Sequence, residues 1–130
     1  MDEITTLQAD VLKTLANPRR LEILHRLADG PREVGRLAAE LGIPQPNVSQ
    51  HLAVLRSAGV IEAERDGREV RYRLSDPDVI VACGVMRAVL ERRLARLARL
   101  SASSAPDTAA PTAVNPEPLR LVRAGAASTN

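Results

Sequence analysis

The chain has 130 residues, enough for one small domain, and its net charge is +2 at pH 7. Phe and Trp are absent and Tyr72 is the single aromatic residue, so any core is built from Leu, Val, Ile and Ala, which favours close-packed helices. A lone Cys83 excludes an intrachain disulfide, and no apolar run reaches the roughly 18 residues of a membrane span.

The N-terminus, MDEITTLQAD, is acidic and mixed, unlike a signal peptide, so a soluble cytoplasmic protein is expected. Ile4, Leu7, Val11, Leu12 and Leu15 recur at helical spacing and predict a helix over roughly 3–15. Asn17-Pro18 is a compact start signal for a second helix, Asn as N-cap and Pro at the first helical position. That helix carries Leu21, Ile23, Leu24 and Leu27 and stops at Asp29-Gly30-Pro31. The third, EVGRLAAEL, buries Val34, Leu37, Ala38 and Leu41 and ends at Gly42; a fourth follows over about 45–57 and ends at Gly59.

The periodicity then changes to two. In VIEAERDGREVRYRL, Val70, Tyr72 and Leu74 share one face and Arg71 and Arg73 the other, with Asp66-Gly67 as a hairpin turn. Ser75-Asp76-Pro77 caps a long helix over about 77–100 that carries Ile80, Cys83, Val85, Met86, Val89, Leu90, Leu94 and Leu97. Arg92, Arg93, Arg96 and Arg99 crowd its far end, where they suit the negative pole of the helix dipole. Residues 1–100 thus form the predicted domain. Residues 101–130, rich in Ala, Pro, Ser and Thr, are expected to be a disordered tail, and LRLV at 119–122 to carry no structure.

The order of helix, helix, short helix, tight turn, helix and two-stranded ribbon is that of a winged helix-turn-helix: mainly α with a small β-hairpin wing. A helix fits the major groove of B-DNA, and a neighbouring ribbon reaches the backbone or minor groove. On a wheel of the fourth helix, Val48, Leu52 and Leu55 face the core, and Pro46, Asn47, Gln50, Ala53 and Ser57 lie opposite, flanked by Ser49 and Arg56. That outer face is low and hydrogen-bonding at its start, and Gln and Asn amides can read adenine bidentately. Of the 18 basic residues, 17 are arginine, which suits phosphate and guanine contacts and equally fits a codon bias.

NPRRLEILHRL, EVGRLAAELGIPQPNVSQHLAVLRSAGVI and ERDGREVRYRLSD together resemble the ArsR/SmtB family of bacterial transcriptional regulators over roughly residues 5–95. The resemblance implies a homodimer, formed mainly by the first and last helices, that binds a palindromic operator and represses transcription until an inducer, small-molecule or redox, releases it. It implies DNA readers at Gln45, Asn47, Ser49, Gln50 and His51 and a wing tip at Asp66, Gly67 and Arg68. Arg56 and Arg68 are read as phosphate candidates and Arg71 as a further DNA-binding residue, with Glu64 and Glu69 placed to neutralise Arg71 and Arg73, while Arg19 and Arg20 are read as supporting the fold. His51 also has a structural reading, at the edge of the buried face. Pro44 stands where the family usually has a capping Ser or Thr, and with Pro46 it leaves the backbone amides of Gln45 and Asn47 for phosphate.

The family's metal-sensing positions fall near Glu33 and Gly35 in one class, and near Asp76, Asp78, Val89 and Arg92 in another. Neither set supplies the roughly four N, S or O donors that a cation such as zinc needs, and His25, His51 and Cys83 fall on three different helices. No metal site or cofactor is expected. Cys83 lies among apolar residues and is read first as a small core hydrophobe; a thiol or metal bridge between two copies of Cys83 is the other reading. A winged-helix protein-interaction module is the rival to DNA binding. No enzyme is expected, because the sequence offers no Gly-rich phosphate loop, paired-carboxylate site or nucleophile–base pair.

Overall fold

The computed structural model describes residues 2–104. Among them, the elements run α1 (Glu3–Leu15), α2 (Pro18–Leu27), α3 (Val34–Leu41), α4 (Gln45–Ser57), β1 (Ile61–Asp66), β2 (Glu69–Leu74) and α5 (Asp78–Ser104), a winged helix-turn-helix as the periodicity predicted. The first two helices start on side-chain caps. Asp2 accepts from the Thr5 amide at 2.7 Å, and Asn17 accepts from the amides of Arg19 and Arg20 at 2.9 and 3.1 Å. Arg20 closes the corner from α1 to α2 by donating its Nε to the Thr14 carbonyl at 2.6 Å, the fold-supporting part expected of it.

The core is wholly aliphatic. Ile23 and Leu24 of α2, Leu37 of α3, Val48, Leu52 and Leu55 of α4, and Ile61 of β1 are all but excluded from water. Arg32 fastens the ribbon to the helices: its backbone exchanges hydrogen bonds with Tyr72 of β2 at 3.0 and 2.8 Å, which adds a one-residue third rung to the sheet. The Arg32 side chain also donates to the Gly30 carbonyl at 2.8 Å and reaches Glu40 at 3.4 Å, while Arg36 reaches Glu40 at 3.0 Å. Burial opposes ionisation of Glu40, but the hydrogen bond from Arg36 and the charge of Arg32 outweigh it and hold the carboxyl below its ordinary value.

Two boundaries differ from the expected ones. Asp66 pairs with Glu69, so the loop residues of the hairpin are Gly67 and Arg68, and Gly67 takes the positive φ (65°) at the first of them. The last helix continues past the expected end at residue 100 to Ser104, its first amide satisfied by the Asp76 carboxylate at 2.9 Å. Residues 105–130, including LRLV, lie outside the described residues. α5 meets the core only through Val79, Ile80 and Cys83. Beyond them Val85, Met86, Val89, Leu90, Leu94 and Leu97 are exposed, Val85 at 62%, and Ile4, Leu7 and Leu12 of α1 are exposed as well. Apolar stripes of this extent mark an association surface, and they lie on the two helices expected to form the dimer.

Asn17 is buried, and its one carboxamide oxygen serves two amides. Asn17→Ala is expected to lower stability by about 1–2 kcal/mol and Asn17→Asp by much less, read from denaturant melts. Equal losses would mean that packing of the side chain, not capping, matters at this corner.

Candidate nucleic-acid interface

α3, a tight turn and α4 build the candidate reading head. Gly42 ends α3 in the left-handed conformation (φ 69°), its amide donating to the Ala38 carbonyl at 2.8 Å. Ile43 follows and is buried, which pins the turn to the core. Pro44 is the N-cap of α4 and offers no side-chain cap, as the sequence indicated. Its carbonyl accepts from the amides of Asn47 at 3.0 Å and Val48 at 3.3 Å. The Asn47 amide is therefore already engaged, and Gln45 alone keeps a first-turn amide that lacks an intrahelical partner by position. The Gln45 side chain leans towards α3, its Oε1 3.8 Å from where a Cβ on Gly35 would stand.

Burial of Val48, Leu52 and Leu55 turns the opposite side of α4 to solvent. Ser49, Gln50 and Arg56 are exposed there, with Pro46, Ala53 and Ser57 between them, while Gln45 is exposed at the helix start on the side that leans towards α3. Two of the expected readers sit differently. Asn47 is half-buried, and His51 is buried at 8% exposure, on the inner side of the helix. Burial, and then the charges of Arg20 and Arg19, push the His51 imidazole below its ordinary value. Its environment is that of the structural reading, with the ring held neutral beneath the start of α2.

The wing stands beside this face. A groove of about 460 Å³ separates them, lined by Ser49, Leu52, Ala53, Arg56 and Ser57 of α4 and by Tyr72 of β2. On the outer side of the ribbon, Arg73 pairs with Glu62 at 3.1 Å and Glu64 at 3.4 Å, and Arg71 pairs with Glu69 at 3.4 Å. The neutralisation expected from Glu64 and Glu69 is thus present, and Arg71 is not a free cation. Arg56, Arg65 and Arg68, by contrast, are exposed and have no ion pair among the described residues. Sequence reasoning singled out Arg56 and Arg68 but passed over Arg65. The period-two alternation already placed Arg65 on the face of Ile61 and Ala63, away from the paired glutamates.

The other candidates are dispersed. Cys83 is half-buried and packs at the edge of the core. Among the described residues, no group of three or more His, Cys, Asp or Glu could hold a metal ion, and no helix is long and apolar enough to cross a membrane.

Residues 17–63, from the start of α2 into β1, match the model of the bacterial regulatory protein, arsR family. The HTH-type transcriptional regulator Rv0081 of Mycobacterium tuberculosis is 44% identical over 89 residues, which cover 68% of this chain and 78% of that protein. Its crystal structure superposes with a TM-score of 0.65 at 40% identity, covering 74% of this chain and 97% of that one. The HTH-type transcriptional repressor SmtB of M. tuberculosis is 47% identical over 74 residues, 57% of this chain and 55% of that one. The homodimeric winged helix-turn-helix DNA-binding domain of Mb0332 from Mycobacterium bovis, solved in solution, gives a TM-score of 0.64 at 36% identity, over 70% of this chain and 84% of that one.

His51 gives the site a pH dependence whose sign follows from its lowered pKa. The unfolded chain, with the ordinary value of 6.5, binds a proton more readily than the folded one, so the stabilisation from the neutral ring is complete above that value. It is lost as the pH falls below 6.5 towards the folded-state value. Thermal melts are expected to show the unaltered chain losing Tm between about pH 7.5 and 5.5, and His51→Gln losing less over that range. Parallel curves for the two proteins would place the acid-sensitive group elsewhere.

Proposed function

The chain belongs to the ArsR family of bacterial regulatory proteins and is a winged helix-turn-helix transcriptional regulator; we propose that it is a repressor whose homodimer occupies a palindromic operator. The observation that carries the reading is the exposed face of α4, low and polar at Ser49 and Gln50 and bordered by the unpaired guanidinium groups of Arg56 and Arg68. In the reading, α4 enters the major groove, where Gln50, Ser49 and Gln45 meet base edges, and the two arginines meet phosphate. Asn47 and His51 drop to supporting parts because of their burial, and Arg71 because of its pairing with Glu69.

Two copies related by a twofold axis would present two α4 helices to half-sites about one helical turn apart. Residues 1–100 carry this function in the proposal, and 101–130 are an appendage to it. The regulator works by occupancy rather than turnover, in the cytoplasm where bacterial DNA lies. Because the family's metal-sensing positions near Glu33, Gly35, Asp76, Asp78, Val89 and Arg92 do not supply a donor set, the proposed signal is a non-metal inducer, small-molecule or redox, or the protein responds to none. A protein-docking role for the same face is disfavoured, because that face has no aromatic or Leu anchor.

Fluorescence titration of the full chain against its own upstream DNA tests the proposal. A steep salt dependence and a palindromic footprint are expected, and binding indifferent to sequence would sink it. Gln50→Ala is expected to relax base preference by about 1–3 kcal/mol of discrimination, and Arg68→Ala to weaken all sequences alike. Were Gln50→Ala to alter only the melting temperature, the outer face of α4 would be wrongly assigned.

A further inference from the structure

We propose that Arg65 is the wing's phosphate anchor, holding with Arg56 the DNA backbone that passes between the ribbon and α4. The inference rests on the DNA-binding reading and adds to it a residue and a face of the wing.

The register of the hairpin supplies the geometry. Ile61 lies opposite Leu74, Ala63 opposite Tyr72 and Arg65 opposite Val70, so these six side chains share one face of the ribbon. Ile61 at the base of that face is buried in the core, and Tyr72 midway lines the groove against α4. The face is therefore the one turned towards the reading head, and Arg65 is its residue closest to the tip. It bears no carboxylate. Arg65 is exposed and has no ion pair among the described residues, and Arg56, also without one, lines the groove that Tyr72 borders from the ribbon side.

The opposite face of the ribbon carries Glu62, Glu64, Arg71 and Arg73, whose charges are satisfied by ion pairs of 3.1 to 3.4 Å. A phosphate approaching there would have to displace a carboxylate from each arginine. One entering the groove meets the guanidinium of Arg56 there, and that of Arg65 lies nearer the wing tip on the same face of the ribbon as Tyr72; neither has a competing acceptor, and a guanidinium fork matches phosphate bidentately. Charge complementarity thus assigns the backbone to the inner face and leaves the outer face inert. Arg65 acts as a positioning residue: phosphate contacts set register on the duplex and carry no sequence information.

The test measures affinity of the full chain against salt concentration on two labelled duplexes, one from its own upstream region and one of random sequence. For a dimer with two wings, Arg65→Ala is expected to reduce the slope of log K on log salt by about 1.8, at roughly 0.9 for each phosphate that is no longer neutralised. It should weaken both duplexes by a similar factor, and Arg65→Lys should restore most of the slope. Arg71→Ala should leave the slope unchanged. The assignment is overturned if Arg65→Ala keeps the full slope, or if Arg71→Ala lowers it as much. Where the unaltered chain binds neither duplex, the DNA-binding reading itself fails and takes this one with it, whereas a salt-dependent parent with an indifferent Arg65→Ala overturns the anchor alone.

Discussion

The burial of Val48, Leu52 and Leu55 fixes the rotation of α4, and the rest of the candidate interface depends on it. A step of one residue around a helix is about 100°, so any other rotation would bring polar side chains into the core and aliphatic ones out. Fully burying an aliphatic side chain is worth about 1.5–3 kcal/mol, so three of them hold the helix firmly in angle. They do so against partners supplied by α1, α2, α3 and β1, all of which touch α4. Which residues can reach DNA is therefore decided from behind, by residues that never approach it.

The wing is oriented by a different kind of tie. Two backbone hydrogen bonds between Arg32 and Tyr72 dock β2 against the segment ahead of α3, and Ile61 roots β1 in the core. Once the ribbon is docked, alternation does the sorting: acids and their arginine partners fall on one side, and Arg65 with the apolar residues on the other. The near-neutral formal charge of the whole chain conceals this. Within the ribbon, the charges of Glu62, Glu64, Arg71 and Arg73 offset one another on the outer face, while Arg65 on the inner face and Arg56 across the groove have no carboxylate beside them.

Much of this was legible in the residues. Aliphatic periodicity gave all five helices and the ribbon, because a core without aromatic residues requires a regular apolar repeat on every buried element. The wheel of α4 placed Val48, Leu52, Leu55 and Gln50 correctly, since they lie near the centres of the two faces, and Ser49 on the flank is exposed as expected. It was weakest at the seams. His51 sits where one face gives way to the other, and only the packing of α2 over it decided for the inside. The Asn47 amide was taken by a bond with the Pro44 carbonyl, a detail of turn geometry rather than of pattern. Arg71 and Arg65 exchanged importance because Arg71 is neutralised by Glu69 two residues earlier on its own strand, while Arg65 falls on the ribbon face that carries no carboxylate. The Arg32–Tyr72 rung joins residues forty apart and left no periodic trace.

α5 keeps much of the chain's apolar surface outside its own core. Val85, Leu90, Leu94 and Leu97 leave about half of their surface in water in a single copy, and they are the side chains a second copy would cover. When folding and association share a surface in this way, the free energy of the folded state contains the logarithm of protein concentration. In the proposed homodimeric repressor, copy number would set two quantities at once, the fraction of operator occupied and the fraction of chains that stay folded. A fall in expression would lower both together, so repression would be relieved more sharply than binding affinity alone implies.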